Sequence, residues 1–262
     1  IAGAKSHGAN FIDTAISKGA VAVLTDNAGA EIVKGKIPTL IVANPRAEVG
    51  PLSNWFYGDP STKLNLVGIT GTNGKTSCTY WLAELQNRLG KKTGLIGTLG
   101  YGYKKLKAHR YTTPDAISNH RIFKEFKSDK IKSVVMEVSS HALSQGRVNS
   151  ICFDVAVFTN LSRDHLDYHL NFKNYFNAKK KLFDFPSLKV AVINIDDAYG
   201  KKLKLFLVKN KKEVITYGIK QGDVRATQII YSDSSTSFKL HFKKEIYEVN
   251  IPLVGEFNVY KD

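Results

Sequence analysis

The sequence predicts an α/β protein. Its centre is a P-loop domain on a mostly parallel, doubly wound sheet with a small antiparallel appendage, preceded by part of a smaller α/β domain. Three observations carry this reading. Near-continuous aliphatic and β-branched runs alternate with helix-length segments from residue 64 to 209, as parallel strands buried on both faces alternate with their crossover helices. A Gly-rich loop follows the first of those runs and opens a helix at Lys75. Residues 213–254 hold shorter, alternating segments such as Ser237-Phe238-Lys239-Leu240-His241-Phe242, the pattern of antiparallel strands with one wet face.

Taken in order, Phe11 to Ile16 reads as helix, Gly19 as its stop and Val21 to Leu24 as a strand. Ile37 to Ala43 is a second strand, and Asn44-Pro45-Arg46 opens a helix running toward Phe56. Gly58-Asp59-Pro60-Ser61 is a turn-rich joint, which sets the domain boundary between residues 1–61 and 62–262. Beyond it the predicted strands are 64–70, 93–97, 133–138, 155–159 and 190–195, and the helices 76–89, 115–127, 172–184 and 197–209.

The chain has 262 residues, 43% of them hydrophobic, enough to bury the core of one or two domains. With 20 Gly, 7 Pro and 2 Cys, collagen-like, low-complexity and disulfide-stapled architectures are excluded. Cys78 and Cys152 suit a reducing, cytoplasmic setting. No apolar run approaches the roughly 18 residues a membrane span needs, and no signal peptide is visible. The first residue is Ile1, and the expectation is a stretch cut at both ends.

Lys and Arg number 38 against 23 Asp and Glu, a formal charge of +15. Such an excess attracts polyanions. The lysines fall in short groups, such as Lys104-Lys105 and Lys179-Lys180-Lys181, which read as solvated faces. No zinc-finger, RNA-recognition or basic-zipper pattern accompanies them. The charge therefore fits a substrate with several phosphates better than nucleic acid.

The most specific segment is Gly68-Ile69-Thr70-Gly71-Thr72-Asn73-Gly74-Lys75-Thr76. Gly71 and Gly74 let the backbone bend so that N–H groups point at phosphate oxygens, and the helix N-terminus adds partial positive charge. Lys75 is placed to reach the β- and γ-phosphates of ATP, and the Thr76 hydroxyl to bind Mg²⁺. The loop departs from the strict pattern, because Ile69 stands where the first glycine belongs. Glu137 ends the buried run Val134-Val135-Met136, so its carboxylate lies at the strand edge where ligands of parallel sheets bind. Chemistry alone does not nominate His165 for Mg²⁺, which prefers oxygen.

Several segments follow one another in an informative order. They are Gly71–Thr76, Thr112-Thr113-Pro114-Asp115-Ala116, Met136 to Leu143, Asn160 to His169, Tyr175 to Lys179 and Gly255 to Tyr260. Together they resemble the Mur ligase superfamily, and within it the branch that extends UDP-MurNAc-L-Ala-D-Glu with a diamino acid. The resemblance implies residues 1–61 as the rear of an N-terminal uridine-nucleotide-binding domain and 62–262 as the central ATP-binding domain. The family's C-terminal domain lies outside this sequence, so the stretch alone is expected to be inactive and its choice of meso-diaminopimelate or L-lysine is not legible.

The implied reaction is ATP-dependent amide formation through an acyl phosphate, in peptidoglycan precursor synthesis, by a cytoplasmic monomer. Its implied partners are UDP-MurNAc-dipeptide and a diamino acid, with neither nucleic acid nor membrane. By the same resemblance Gly71, Thr72, Asn73, Gly74, Lys75, Thr76 and Ser77 hold ATP, with Asn258 on the adenine side. Thr76, Glu137 and His165 hold a pair of Mg²⁺ ions, and Lys179 carries a CO₂-derived carbamate. Lys75, Lys179, Glu137 and His165 are the catalytic set. Thr112, Thr113, Ser139, Gln145 and Arg147 hold the muramoyl-peptide. Tyr111 and Lys261 stand where family members carry asparagine. The alternatives are another ligase of the superfamily, such as a folylpolyglutamate synthase, and a basic P-loop protein that binds nucleic acid.

Overall fold

The computed structural model describes residues 1–3 and 6–260; Lys261 lies outside them. Residues up to the joint form α1 (Ile12–Ser17), β1 (Val23–Thr25), α2 (Asn27–Val33), β2 (Thr39–Ile41) and α3 (Pro45–Phe56). β1 and β2 pair in parallel as a sheet of their own. Asp26 and Asn44 cap α2 and α3 through their side-chain oxygens, which satisfies N–H groups that a helix start leaves unpaired. A 3₁₀ turn, Pro60–Lys63, then leads into the second unit.

That unit runs β3 (Asn65–Thr70), α4 (Lys75–Arg88), β4 (Thr93–Gly97), β5 (Gly100–Tyr103), β6 (Lys105–Lys107), α5 (Ala116–Ser128), β7 (Ser133–Glu137) and α6 (Ser140–Ser144). It continues with β8 (Val155–Phe158), α7 (Leu166–His169), α8 (Phe172–Lys180), β9 (Val190–Asn194), α9 (Ala198–Lys209) and β10 (Glu213–Gly218). β11 (Val224–Tyr231), β12 (Thr236–Phe242), β13 (Glu245–Ile251) and α10 (Glu256–Val259) complete it. One sheet holds its strands in the order β13-β12-β11-β10-β9-β8-β3-β7-β4-β5-β6.

The α/β reading holds, and the five predicted strands all lie side by side and parallel. β3, β7 and β8 sit at the middle, so their aliphatic side chains are covered on both faces; Leu66, Ile69, Val134, Val135, Met136, Ala156 and Phe158 are buried. Burial on both faces is why these runs carry no polar alternation.

Two expectations need correction. Residues 213–218 do not belong to an antiparallel appendage: β10 pairs in parallel with β9, from Glu213 opposite Val190 to Tyr217 opposite Asn194. Helix α9 supplies the crossover that parallel pairing requires. Within residues 213–254 the antiparallel pairs are β11–β12 and β12–β13, and these strands extend the main sheet rather than standing apart from it. The predicted helix 172–184 is shorter, because α8 stops at Lys180 and a 3₁₀ turn follows over Lys181–Asp184. The opposite edge carries a hairpin, β5–β6, absent from the sequence reading.

Candidate active site

The loop after β3 is the centre of the site. Gly71 lies so close to Thr159 that a Cβ there would overlap its hydroxyl, and Gly74 takes a left-handed conformation with φ +87°. Both positions therefore need glycine. The loop is braced from the segment after β8: Asn73 N donates to Asn160 Oδ1 at 3.0 Å, Thr159 Oγ1 donates to Asn73 O at 2.7 Å, and Ser162 N donates to Thr72 Oγ1 at 3.0 Å. Helix α4 begins at Lys75, so the N–H groups of Lys75, Thr76 and Ser77 belong to its unpaired first turn.

Lys75 bends back over the loop, its Nζ donating to Gly71 O and Thr72 O at 2.9 Å each. Burial lowers its pKa, against the pull of Glu137 and Asp164. Thr76 Oγ1 donates to Glu137 Oε2 at 2.9 Å. Glu137 is 1% exposed and takes further bonds from Thr98 N at 2.7 Å and Thr98 Oγ1 at 3.3 Å. Gly97 allows this approach, since a Cβ there would overlap Glu137 Oε1.

Lys179 reaches the same loop from α8. It is 1% exposed, and its Nζ donates to Gly71 O at 2.7 Å while lying 4.4 Å from the centre of the Tyr175 ring. Its pKa is well below the usual lysine value, because burial penalises the ammonium and Lys75 repels it; Asp164 opposes the shift. Two amines thus share one carbonyl oxygen, and the more deeply buried one is the more strongly shifted toward its neutral form. Tyr175, fully buried, bonds through its hydroxyl with Thr72 Oγ1 at 3.2 Å.

His165 stands apart from Glu137. It sits at a left-handed position with φ +51°, its Nε2 3.4 Å from Asp164 Oδ2, and its ring centre is 4.8 Å from that of His141 and 6.2 Å from that of Tyr175. His169 completes this group, bonded to Ser140 Oγ at 2.9 Å; burial and the charges of His141, Lys179 and His165 hold its pKa down to about 4. The expected metal trio is thus divided: Thr76 and Glu137 touch, and His165 belongs to the neighbouring cluster. Among the described residues no group of three or more His, Cys, Asp and Glu side chains is arranged to hold a metal ion.

The expected substrate contacts do converge. Thr113 Oγ1 donates to Glu137 O at 2.8 Å and accepts from Ser139 N at 3.0 Å, and Ser139 Oγ caps α6 by accepting from Ala142 N at 3.1 Å. Thr98 Oγ1 and Thr112 Oγ1 are hydrogen-bonded at 3.1 Å. Arg147 donates to Gln145 Oε1 and, at 3.1 Å, to Thr113 O.

On the other side of the loop lies a cavity of about 630 Å³, lined among others by Asn73, Gly74, Asn194, Asp196, Tyr217 and Tyr260. Asp196 Oδ2 accepts from Ile219 N at 2.6 Å, Lys220 N at 2.9 Å and Tyr260 Oη at 3.0 Å, while its Oδ1 is buried without a protein partner. Sequence reasoning missed this wall, although Asn194-Ile195-Asp196-Asp197 follows a buried strand just as Glu137 ends one. Asn258 does not line the cavity: it is buried and donates to Val254 O at 3.1 Å, leaving Glu256, Phe257 and Tyr260 beside the space.

The family model for the Mur ligase middle domain matches residues 69–260. The chain belongs to the Mur ligase family. Among curated Mur ligase relatives, the UDP-N-acetylmuramoyl-L-alanyl-D-glutamate–2,6-diaminopimelate ligase of Aquifex aeolicus is 44% identical over 99% of this chain and 52% of its own length. That of Chromobacterium violaceum is 43% identical over 98% of the chain and 52% of its own length. The chain spans about half the length of these relatives. A solved structure of a ligase with the same name superposes with a TM-score of 0.85 at 31% identity, covering 97% of this chain and 52% of that one. MurF from Acinetobacter baumannii, at 20% identity and a TM-score of 0.69 over 100% of this chain and 53% of that one, shares the fold.

Proposed function

We propose that the protein is an ATP-dependent ligase that joins a diamino acid to the D-Glu carboxylate of UDP-MurNAc-L-Ala-D-Glu in peptidoglycan precursor synthesis. The observation that carries this reading is the meeting of Lys75, Lys179 and the Thr76–Glu137 pair around one phosphate-type loop. The activity of the curated relatives supplies the substrate class, with 2,6-diaminopimelate as the expected diamino acid.

ATP phosphates sit against the N–H groups of Gly71 to Ser77 at the start of α4. Lys75 exchanges its loop carbonyls for phosphate oxygens, which are stronger, charge-assisted acceptors. The cavity lined by Asn194, Asp196, Tyr217 and Tyr260 takes the nucleoside, and the buried Asp196 Oδ1 is an acceptor for one of its hydroxyl or amino groups. Thr113, Ser139, Gln145 and Arg147 hold the muramoyl-peptide beside the γ-phosphate, so that its carboxylate attacks the γ-phosphorus in line and the bond to the β–γ bridging oxygen breaks, releasing ADP. The amine of the diamino acid then attacks the resulting acyl phosphate and releases phosphate.

Thr76 and Glu137 are hard oxygen donors already 2.9 Å apart, which suits Mg²⁺, an ion that commonly takes one or two carboxylates plus phosphate oxygens. His165 is the further ligand that the resemblance implies. Mg²⁺ held there would supply charge neutralisation to the phosphates. CO₂ is taken up by the neutral form of an amine, and the burial that lowers the Lys179 pKa favours that form, so the site suits the carbamate as well. We place the reaction in the cytoplasm and assign it to a monomer. No helix among the described residues is long and apolar enough to cross a membrane.

The test supplies the protein at its natural length with ATP, Mg²⁺, bicarbonate and UDP-MurNAc-L-Ala-D-Glu, with meso-diaminopimelate and L-lysine in separate reactions, and reads products by mass. The expected product is the tripeptide nucleotide, with diaminopimelate. No tripeptide from either amino acid, with ATP still bound, overturns the substrate assignment.

A further inference from the structure

Arg147 is held within its plane by hydrogen bonds. Nε and Nη2 donate to Gln145 Oε1 at 2.9 and 2.6 Å, and Nη1 donates to Thr113 O at 3.1 Å. Gln145 is steadied in turn by donating to Tyr168 Oη at 3.2 Å. These bonds leave one N–H on each of Nη1 and Nη2, the fork that matches two oxygens of a carboxylate or phosphate. They do not restrain tilt out of the plane. That restraint comes from Tyr111, whose ring centre lies 4.5 Å from the guanidinium carbon.

The Tyr111 ring does more than cover Arg147. The Arg110 guanidinium lies 5.3 Å from the same ring, so one aromatic side chain gathers two cations. Its backbone N–H donates to His109 Nδ1 at 3.3 Å, which fixes the turn, and the ring is 42% exposed. Tyr111 directly precedes Thr112 and Thr113, on the muramoyl-peptide side of the site. It belongs to none of the buried hydrophobic clusters of the described residues, and two guanidinium groups lie over its ring.

We propose that Tyr111 is a positioning residue: its ring holds Arg147 in the tilt that offers the free fork to the anionic groups of the muramoyl-peptide nucleotide. It thereby sets affinity for that substrate without acting on ATP. The proposal rests on the ligase reading above. Aromatic–guanidinium contacts at exposed positions are worth enough to shift affinity about two- to fivefold.

The experiment compares Tyr111→Leu and Tyr111→Phe in steady-state kinetics, alone and with Arg147→Ala. Tyr111→Leu is expected to raise KM for UDP-MurNAc-L-Ala-D-Glu roughly two- to fivefold with kcat and the KM for ATP unchanged. Tyr111→Phe keeps wild-type values, because it keeps the ring. In the Arg147→Ala background Tyr111→Leu has no further effect. A wild-type KM in Tyr111→Leu, or an undiminished effect without Arg147, overturns the proposal. A second measurement needs no substrate. The NMR resonance of Arg147 Nε–H, assigned by its loss in Arg147→Lys, is expected to move downfield in Tyr111→Leu as the ring current disappears, and to stay in Tyr111→Phe. An unmoved resonance contradicts the contact itself. Failure of the wild-type protein to consume the nucleotide, with the resonance moving as expected, contradicts the substrate assignment instead.

Discussion

The two sides of the site are built differently. On the loop side, Gly71 to Thr76 form one contiguous stretch, and Glu137, Asn160 and Lys179 lock onto it through short hydrogen bonds. On the cavity side, Asp196 gathers Ile219, Lys220 and Tyr260 from β10's exit and the end of the described chain. The loop side concentrates charge in a buried place; the cavity side gathers its donors on the Asp196 carboxylate beside open space. On the function proposed above, reaction chemistry falls to the first and nucleoside binding to the second. Substitutions on the two sides should separate accordingly.

The largest effect is expected from Lys75→Ala. Loss of one preorganised cation at the transferring phosphate should lower kcat/KM for ligation by about 10²–10³-fold, while the thermal midpoint stays near wild type, since the amine's partners are loop carbonyls. A large loss of stability with modest loss of rate would blur the comparison. Glu137→Ala should cost stability as well as rate. It removes the carboxylate that accepts from the Thr98 N–H and the Thr76 hydroxyl, a loss of about 1.5–3 kcal/mol that urea denaturation would read.

The histidine cluster gives the loop side a pH signature. His169 has its pKa held down to about 4 in the folded protein, against 6.5 ordinarily. Between those values the unfolded chain takes a proton that the folded protein refuses. Stability is therefore fully present above about pH 6.5 and declines as pH falls toward 4. Urea midpoints measured across that window should fall with pH, and His169→Gln should flatten the slope. The smallest effect is expected on the cavity side: Tyr260→Phe removes the hydroxyl bond to Asp196 and should cost about 0.5–1.5 kcal/mol, seen as a few-fold weaker ATP affinity with kcat unchanged.

The same contrast explains what was legible in the sequence. The loop could be read because a buried strand, glycines, lysine and threonine stand next to one another, and Glu137 because it ends a buried run. Lys179 was separable from Lys180 and Lys181 only by family resemblance; the structure supplies the physical reason, since Lys179 is buried on Gly71 O. Asp196 and Tyr217 became a wall only when β9 and β10 paired in parallel, and short alternating segments do not reveal the direction of pairing. Asn258 fitted a motif, but its amide serves the chain's own turn at Val254. The hairpin β5–β6 was hidden by its charged tip, Lys104 to Lys107, which reads as surface.

The most direct test of the two-sided account is calorimetric titration with Mg-ATP of the wild-type protein, Lys75→Ala and Tyr260→Phe. The account predicts binding by the wild type, a loss of at least about tenfold, or 1.4 kcal/mol, in Lys75→Ala, and a smaller loss in Tyr260→Phe. Equal affinity in wild type and Lys75→Ala would contradict it, because the loop around Gly71 would then not be where the phosphates bind.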